Sequence, residues 1–493
     1  MPGWKGVEMS DQPTTPEKSF SEVVNDNLER LAEIPRSDGR PSILKSKESA
    51  SSNSSVVEFD PVGFVKSRGI YNLDGTDVFY LREDLAIEGL PTFSTLRLAM
   101  LKIELRAMGF ESRPRKTENV SEVESIFLAS RNHNRIREVG SFGGYFPGEQ
   151  QIEGLGRALV LDGPNLIQPI EGDFPNIDKF LSEFFGNEQL PYFLMWLREA
   201  YTSLRDRKRQ PGQILLLCGS ADAGKGFLQK FLLRPLLGGR ETDIAPFLFE
   251  GDKFNSDLFR SEFLVVEELP GSLKIADREK FGEQLKKLTK GQSGRCRAMH
   301  RDGKTISTFR RILISCNPQK VKMLPPLDAD LAEATMLFDV NKAEGFFNSF
   351  TSRADAAERV LAEIPALLHH ITSVVFPKSL EGRRYGVKSY MNKQLAEEIF
   401  EQERWFMLLL LVDRELFPDG AEAASWQGCA TDLMLRLQQD GSSVRQSAQK
   451  LSSEPAIFGQ YLEKISGRYP DRVEKGARRT AKQRAGWIIH PPA

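Results

Sequence analysis

The sequence is poor in residues that build metal centres and disulfide frameworks. It has four cysteines, Cys218, Cys296, Cys316 and Cys429, with no CxxC pair, and five histidines that are equally dispersed. This scatter gives a zinc site no support and excludes a disulfide scaffold; buried free thiols in a reducing compartment fit it. The formal net charge is −1, so no global field draws the chain to nucleic acid or membrane, and any such affinity has to come from a local patch. Long apolar runs are missing too. The run WFMLLLLV, from Trp405 to Val412, falls far short of the ~20 residues a bilayer crossing needs. The amino terminus lacks an apolar signal core. A cytoplasmic protein with no membrane partner is expected.

With 493 residues, about two to four domains are expected, and a 40% apolar content suffices for sizeable cores. Residues 1–55 are polar, with PTTPEKS and SKESASSNSS, and read as a disordered arm. Residues 56–150 read as a small α+β module, with strand-like IYNLDGTDVFYL, an amphipathic helix around Ser94 to Met108, and turn signals at Asp74-Gly75 and Gly143-Gly144. Residues 151–211 read as a helical, collar-like segment carrying NIDKFLSEFFG and YFLMWLREAYTSL as two helices. Apolar strand, Gly loop and helix then recur, an α/β pattern placed at 212–376. Residues 377–493 form a further unit with its own apolar helices. There is no internal repeat.

The stretch ILLLCGSADAGKGFL, Ile214 to Leu228, holds the most chemistry. Ile214 to Cys218 is a short apolar run suited to a buried parallel strand. Gly219, Gly224 and Lys225 fit G-x-x-x-x-G-K, with Ser220, Ala221, Asp222 and Ala223 between. The apolar residues Phe227, Leu228, Phe231 and Leu232 then mark one face of a helix, stopped at Gly238-Gly239. Strand, loop, helix is the context a phosphate-binding loop needs. Its N–H groups cradle phosphates and its lysine neutralises them. Asp222 is read as making a local turn. Gly226 stands where the pattern has Ser or Thr. The alternative for the loop is a simple Gly-rich turn.

Two further strand ends follow in order. FLVVEELPG places Glu267 and Glu268 after the apolar run Phe263 to Val266. Paired carboxylates there suit metal holding, one through water, and activation of an attacking water. The alternative is an exposed acidic strand end. RRILISCNPQ places Asn317 after Ile312 to Ser315, where an amide can reach a γ-phosphate; the alternative is an Asn-Pro turn.

At this point the chain resembles the superfamily 3 helicases, specifically the phage- and plasmid-type primase-helicase proteins. The resemblance covers roughly residues 140–345 through FLMWLREAYTSL, FNSDLFRSEFLVVEE, REKFGEQLKKL, ILISCNPQ and MLPPLD. It implies a AAA+-like P-loop NTPase core using ATP and Mg²⁺, a ring, usually a hexamer, and DNA as partner. By that similarity Lys225 is the phosphate lysine, Glu267 and Glu268 the metal and water motif, and Asn317 the sensor. MHRDGKT, Met299 to Thr305, stands where such helicases carry a DNA-touching hairpin, which makes His300, Arg301 and Lys304 DNA-binding candidates. The alternative for them is a solvated β-turn. Residues 1–200 show neither the acidic cluster nor the zinc motif of a primase, so the helicase part alone is expected. There are two departures. Gly226 lacks the hydroxyl that binds Mg²⁺, and no arginine lies between Asn317 and Arg353 to serve as an arginine finger; Lys320, Lys322 and Arg353 are the substitutes.

The tail reads as a helix in WQGCATDLMLRLQQ, a second at Ile457 to Ile465, then two strands flanking a basic loop: a winged helix. Arg472, Lys475, Arg478, Arg479, Lys482 and Arg484 face one acid, Glu474, in that stretch. A basic wing places cations along phosphates, with Arg478, Arg479 and Lys482 as its DNA-binding candidates. A solvated hairpin is the alternative. Trp487 is expected in a small core.

Overall fold

The computed structural model describes residues 59–83, 90–114, 119–210, 212–250, 255–290, 293–296, 304–418, 424–476 and 486–492. The arm at 1–55 and the candidates His300, Arg301, Arg478, Arg479 and Lys482 lie outside them.

Uninterrupted apolar runs build the centre of the chain. The strands of the central sheet, numbered in chain order, are β1 (Ile214–Cys218), β2 (Glu241–Asp243), β3 (Phe263–Val266), β4 (Arg311–Cys316) and β5 (Thr335–Asp339). They pair in the spatial order β5-β1-β4-β3-β2, all parallel. Runs such as ILLLC and FLVV fit because both faces are covered. Leu215, Leu217, Phe263, Val265 and Leu313 enter one apolar cluster, while Ile214, Leu216, Leu264, Val266 and Ile314 enter another. Side chains alternate across a strand, so these clusters are the two faces of the sheet.

Helices α1 (Pro175–Arg205) and α3 (Arg353–Ser373) cover the first face, and α2 (Ile275–Lys290) covers the second. The two expected helices of α1 run together across a break at Gly186, whose φ of 66° and ψ of 172° are not helical. The opening of α1 is held from α3: the Asn176 and Ile177 amides both donate to Glu363 Oε2 at 2.9 Å. A carboxylate there pairs donors that a helix start leaves unsatisfied.

Some local expectations are corrected. Before α1, strands Gly148–Ile152 and Gly156–Val160 form a three-stranded sheet with Glu138–Gly140, so residues 151–160 are not helical. Positive φ at Gly154 and Gly156 turns that chain into a hairpin. The helix expected from Ser94 begins at Leu98, because Phe93–Arg97 pairs antiparallel with Val78–Arg82. Helices Pro61–Arg68 and Glu122–His133 pack with Leu98–Ala107 around Val65, Leu101 and Ile126. At the other end, Ala430–Gln438, Arg445–Leu451 and Pro455–Arg468 pack beside a sheet of Trp426–Cys429, Gly486–Ile489 and Val473–Gly476. Trp487 is buried there.

The Gly143-Gly144 turn is a docking point. Phe309 N donates to Gly143 O at 2.9 Å, and Gly144 N donates to the fully buried Glu262 Oε1 at 2.7 Å. Arg240 pairs with the same carboxylate. A Cβ on Gly144 would come within 2.4 Å of Phe309 Cβ, at a φ of +79°. Gly144→Ala is expected to destabilise the fold by roughly 2–4 kcal/mol, read as a lowered denaturation midpoint with unchanged slope; an unchanged midpoint would refute the docking role.

Candidate functional site

The pairing of β4 between β1 and β3 sets the site. Cys316 is the register partner of Cys218, and Ile314 of Val266. The residues after these strands therefore emerge side by side: the loop from Gly219, Asn317, and the pair Glu267–Glu268. Ligands of open parallel sheets sit outside such carboxyl ends. A cavity of about 700 Å³ opens here, lined among others by Gly224, Lys225, Gly226, Glu267, Glu268 and Asn317.

Local geometry shapes the loop. Gly224 has a φ of 116°, and Asp222 a φ of 59°; short polar side chains tolerate the left-handed region. Asp222 is exposed and makes a loose ion pair with Arg353 at 3.7 Å, on the cavity rim. A Cβ on Gly224 would approach Phe180 Cε2 to 3.2 Å. Phe180 in turn packs edge-on against Phe227, with centroids 5.2 Å apart, so an aromatic floor supports the loop.

The segment after the loop is helical from Lys225–Phe227, widens to π turns over Leu228–Leu233, and closes as α-helix at Arg234–Leu236. Pro235 has no N–H for the Phe231 carbonyl, and the wider turns lie just before it. They carry Gln229, whose Nε2 donates to Glu241 Oε1 at 3.2 Å and Glu267 Oε1 at 3.1 Å. Burial raises the Glu241 pKa despite that hydrogen bond. Sequence reading missed Gln229 and Glu241; the signal was a lone amide in the apolar run FLQKFLL.

Lys225 folds back on its own loop. Its Nζ donates to Gly219 O at 2.5 Å, Ser220 O at 2.8 Å and Asn317 Oδ1 at 3.2 Å. Desolvation lowers its pKa below the ordinary lysine value. The two acids have different neighbours. Glu267 lies 3.4 Å from Lys230 Nζ. Glu268 takes a 2.6 Å bond from Lys320, which also donates to Leu269 O at 2.7 Å. Lys320 thus serves its own chain's acid, while Lys322 is exposed. Among the described residues no three His, Cys, Asp or Glu side chains form a metal cage. A cation here needs oxygens from a ligand, as Mg²⁺ commonly does.

The hairpin arms Ser293–Cys296 and Lys304–Ser307 pair antiparallel, with Cys296 opposite Lys304. Lys304 is ion-paired with Glu138. Two cations of the basic tail also have internal partners: Arg472 with Asp413, and Lys475 with Glu463 at 2.5 Å.

These features define the class: an α/β protein with a central parallel sheet and a strand–Gly-loop–helix cavity at its carboxyl edge. A model described as a family of unknown function, DUF5906, matches residues 217–330. No curated protein matches the chain. Two apo structures of the NrS-1 C-terminal region share its fold. One has TM-score 0.51 at 12% identity and the other 0.50 at 13%, each covering 88% of this chain and 100% of that one. A structure titled SCCmec type IV Cch, active helicase, aligns at TM-score 0.29 and 10% identity over 83% of this chain and 78% of that one.

Lys320 hydrogen-bonds Glu268 and holds its pKa below the usual glutamate value. Lys320→Met is expected to let that pKa rise, so Glu268 takes up its proton at higher pH in a carboxyl ¹³C titration. An identical titration in both proteins would contradict the pairing.

Proposed function

We propose that this chain is an ATP-dependent DNA helicase or translocase of the superfamily 3 type, serving replication of a phage, plasmid or integrated element. One observation carries the reading: loop, Asn317 and acid pair converge on one cavity from three adjacent parallel strand ends. N–H groups of the loop from Gly219 to Gly226 and of the first helical turn donate to the phosphates of ATP. Lys225 exchanges its carbonyl partners for phosphate oxygens. Glu267, on the side of the post-loop helix, would face a bound metal through water. Glu268 orients and polarises the attacking water beside Asn317. When bound, Mg²⁺ would supply charge neutralisation to the triphosphate. Catalysis of this kind is positioning and electrostatics.

The chain is further proposed to act as a homo-oligomeric ring, a hexamer by family resemblance, around single-stranded or forked DNA. The 293–307 hairpin would track the strand. Lys304 is tied to Glu138, which leaves His300 and Arg301 as its main contacts. The three helices and small sheet of 426–489 are read as a winged helix whose basic loop holds Arg478, Arg479 and Lys482. Arg472 and Lys475 are engaged internally, so the proposed phosphate contacts fall to the loop cations, Arg478, Arg479 and Lys482 foremost. A second reading, a hydrolysis-impaired nucleotide- and DNA-binding accessory protein, is favoured by Gly226 and by the lack of arginine from 318 to 352.

ATP turnover with and without single-stranded DNA, measured for the natural chain, Lys225→Ala and Gly226→Ser, separates the two. The motor reading expects DNA-stimulated turnover that Lys225→Ala lowers at least about a hundredfold. Turnover of the natural chain no higher than Lys225→Ala, restored by Gly226→Ser, selects the accessory reading. For the tail, reversing Arg478, Arg479 and Lys482 to Glu is expected to weaken DNA binding and reduce its log–log salt slope by about 3. An unaltered slope removes the wing from the interface.

A further inference from the structure

Gly226 leaves a chemical gap and an open space. A Cβ built there meets nothing within 4 Å, so the sequence omits a hydroxyl without filling its place. Mg²⁺ is a hard cation that takes oxygen ligands and usually has only one or two from protein. If this loop holds Mg²⁺-ATP, another neutral oxygen has to serve.

Ser315 has that oxygen. The residue is 4% exposed, and its Oγ has no hydrogen-bond partner among the described residues. An orphaned buried hydroxyl loses its hydration without compensation and asks for a partner. Other buried side-chain atoms in the described residues are also unpartnered, but Ser315 is the residue among them that lines the cavity. Its position is specific. Ser315 is the register partner of Leu217, and it follows the Ile314–Val266 pair, which sets it level with Glu267. Leu313, two residues earlier, packs in the cluster that contains Phe227, Leu228 and Leu232. By strand alternation Ser315 is on that same face, toward the post-loop helix that begins at Lys225 and Gly226. Glu267 follows Val265 onto it in the same way.

We infer that Ser315 supplies the hydroxyl that faces the Mg²⁺ of bound nucleotide, directly or through one water, in place of the missing side chain at position 226. The inference rests on the phosphate-loop reading and adds to it a metal-facing residue on a different strand. It accounts for two oddities together: a loop without its hydroxyl, and a hydroxyl without its partner. Glu267, at the end of the neighbouring strand, would face the same cation.

The test is equilibrium binding of a fluorescent ATP analogue, with Mg²⁺ and with EDTA, to the natural chain, Ser315→Ala, and Ser315→Ala combined with Gly226→Ser. Ser315→Ala is expected to weaken binding about tenfold in Mg²⁺ and to leave it unchanged in EDTA. Its thermal stability should be equal or higher, since an unpaired hydroxyl is removed. Adding Gly226→Ser should return most of the lost Mg²⁺-dependent affinity. Equal binding of Ser315→Ala and the natural chain in Mg²⁺ overturns the inference. So does a loss of the same size in EDTA, which marks a structural effect. No nucleotide binding by the natural chain, or binding unaffected by Lys225→Ala, defeats the phosphate-loop reading itself and this inference with it.

Discussion

The site depends on one pairing, that of Arg311–Cys316 with Ile214–Cys218 on one side and Phe263–Val266 on the other. Without β4 in the middle, the Gly loop and the acid pair would lie on adjacent strands with no amide between them. With it, Asn317 stands between Lys225 and the two glutamates. The pairing holds because both faces of the sheet are dry: leucines and phenylalanines of α1 and the post-loop helix on one side, α2 on the other. Parallel sheets need such double cover. A shift of register by one residue would exchange the two faces and point Glu267 away from the post-loop helix.

Apart from the Ser315 hydroxyl, the charged and amide side chains of the site pair with one another. Lys225 donates to two backbone carbonyls and to Asn317, and Gln229 joins Glu241 to Glu267. Lys320 occupies Glu268. These are short-range contacts that an incoming polyanion can replace. Phosphate oxygens are better partners for a half-buried ammonium than carbonyls, because they add charge to the hydrogen bond. The aromatic floor of Phe180 and Phe227 packs beneath the loop independently of those polar contacts.

Much of this was readable along the chain. Gly219, Gly224 and Lys225, then Glu267 and Glu268, then Asn317 follow strand-like apolar runs, and runs buried on both faces carry a strong signal. Their spatial neighbourhood was not readable, because parallel pairing joins distant segments, Leu313 to Leu215 and Arg311 to Phe263, and leaves no local mark. Ser315 was passed over for that reason: a serine at the end of an apolar strand looks ordinary until its neighbours are known. Residues 151–160 open the segment expected to be helical, yet Gly154 and Gly156 with positive φ fold them into a hairpin. Ser94 to Met108 carries helical periodicity throughout, but antiparallel pairing with Val78–Arg82 takes its first residues into a strand. Tertiary pairing overrode local preference there.

The central claim is that the carboxyl edge of this sheet binds nucleoside triphosphate through its loop. The most direct measurement is an experimental structure of the chain with Mg²⁺ and a non-hydrolysable ATP analogue. The account predicts phosphates against the N–H groups from Gly219 to Gly226, with Lys225 Nζ moved off the Gly219 and Ser220 carbonyls onto their oxygens. Nucleotide bound elsewhere, or Lys225 still on those carbonyls with the cavity empty, would contradict it.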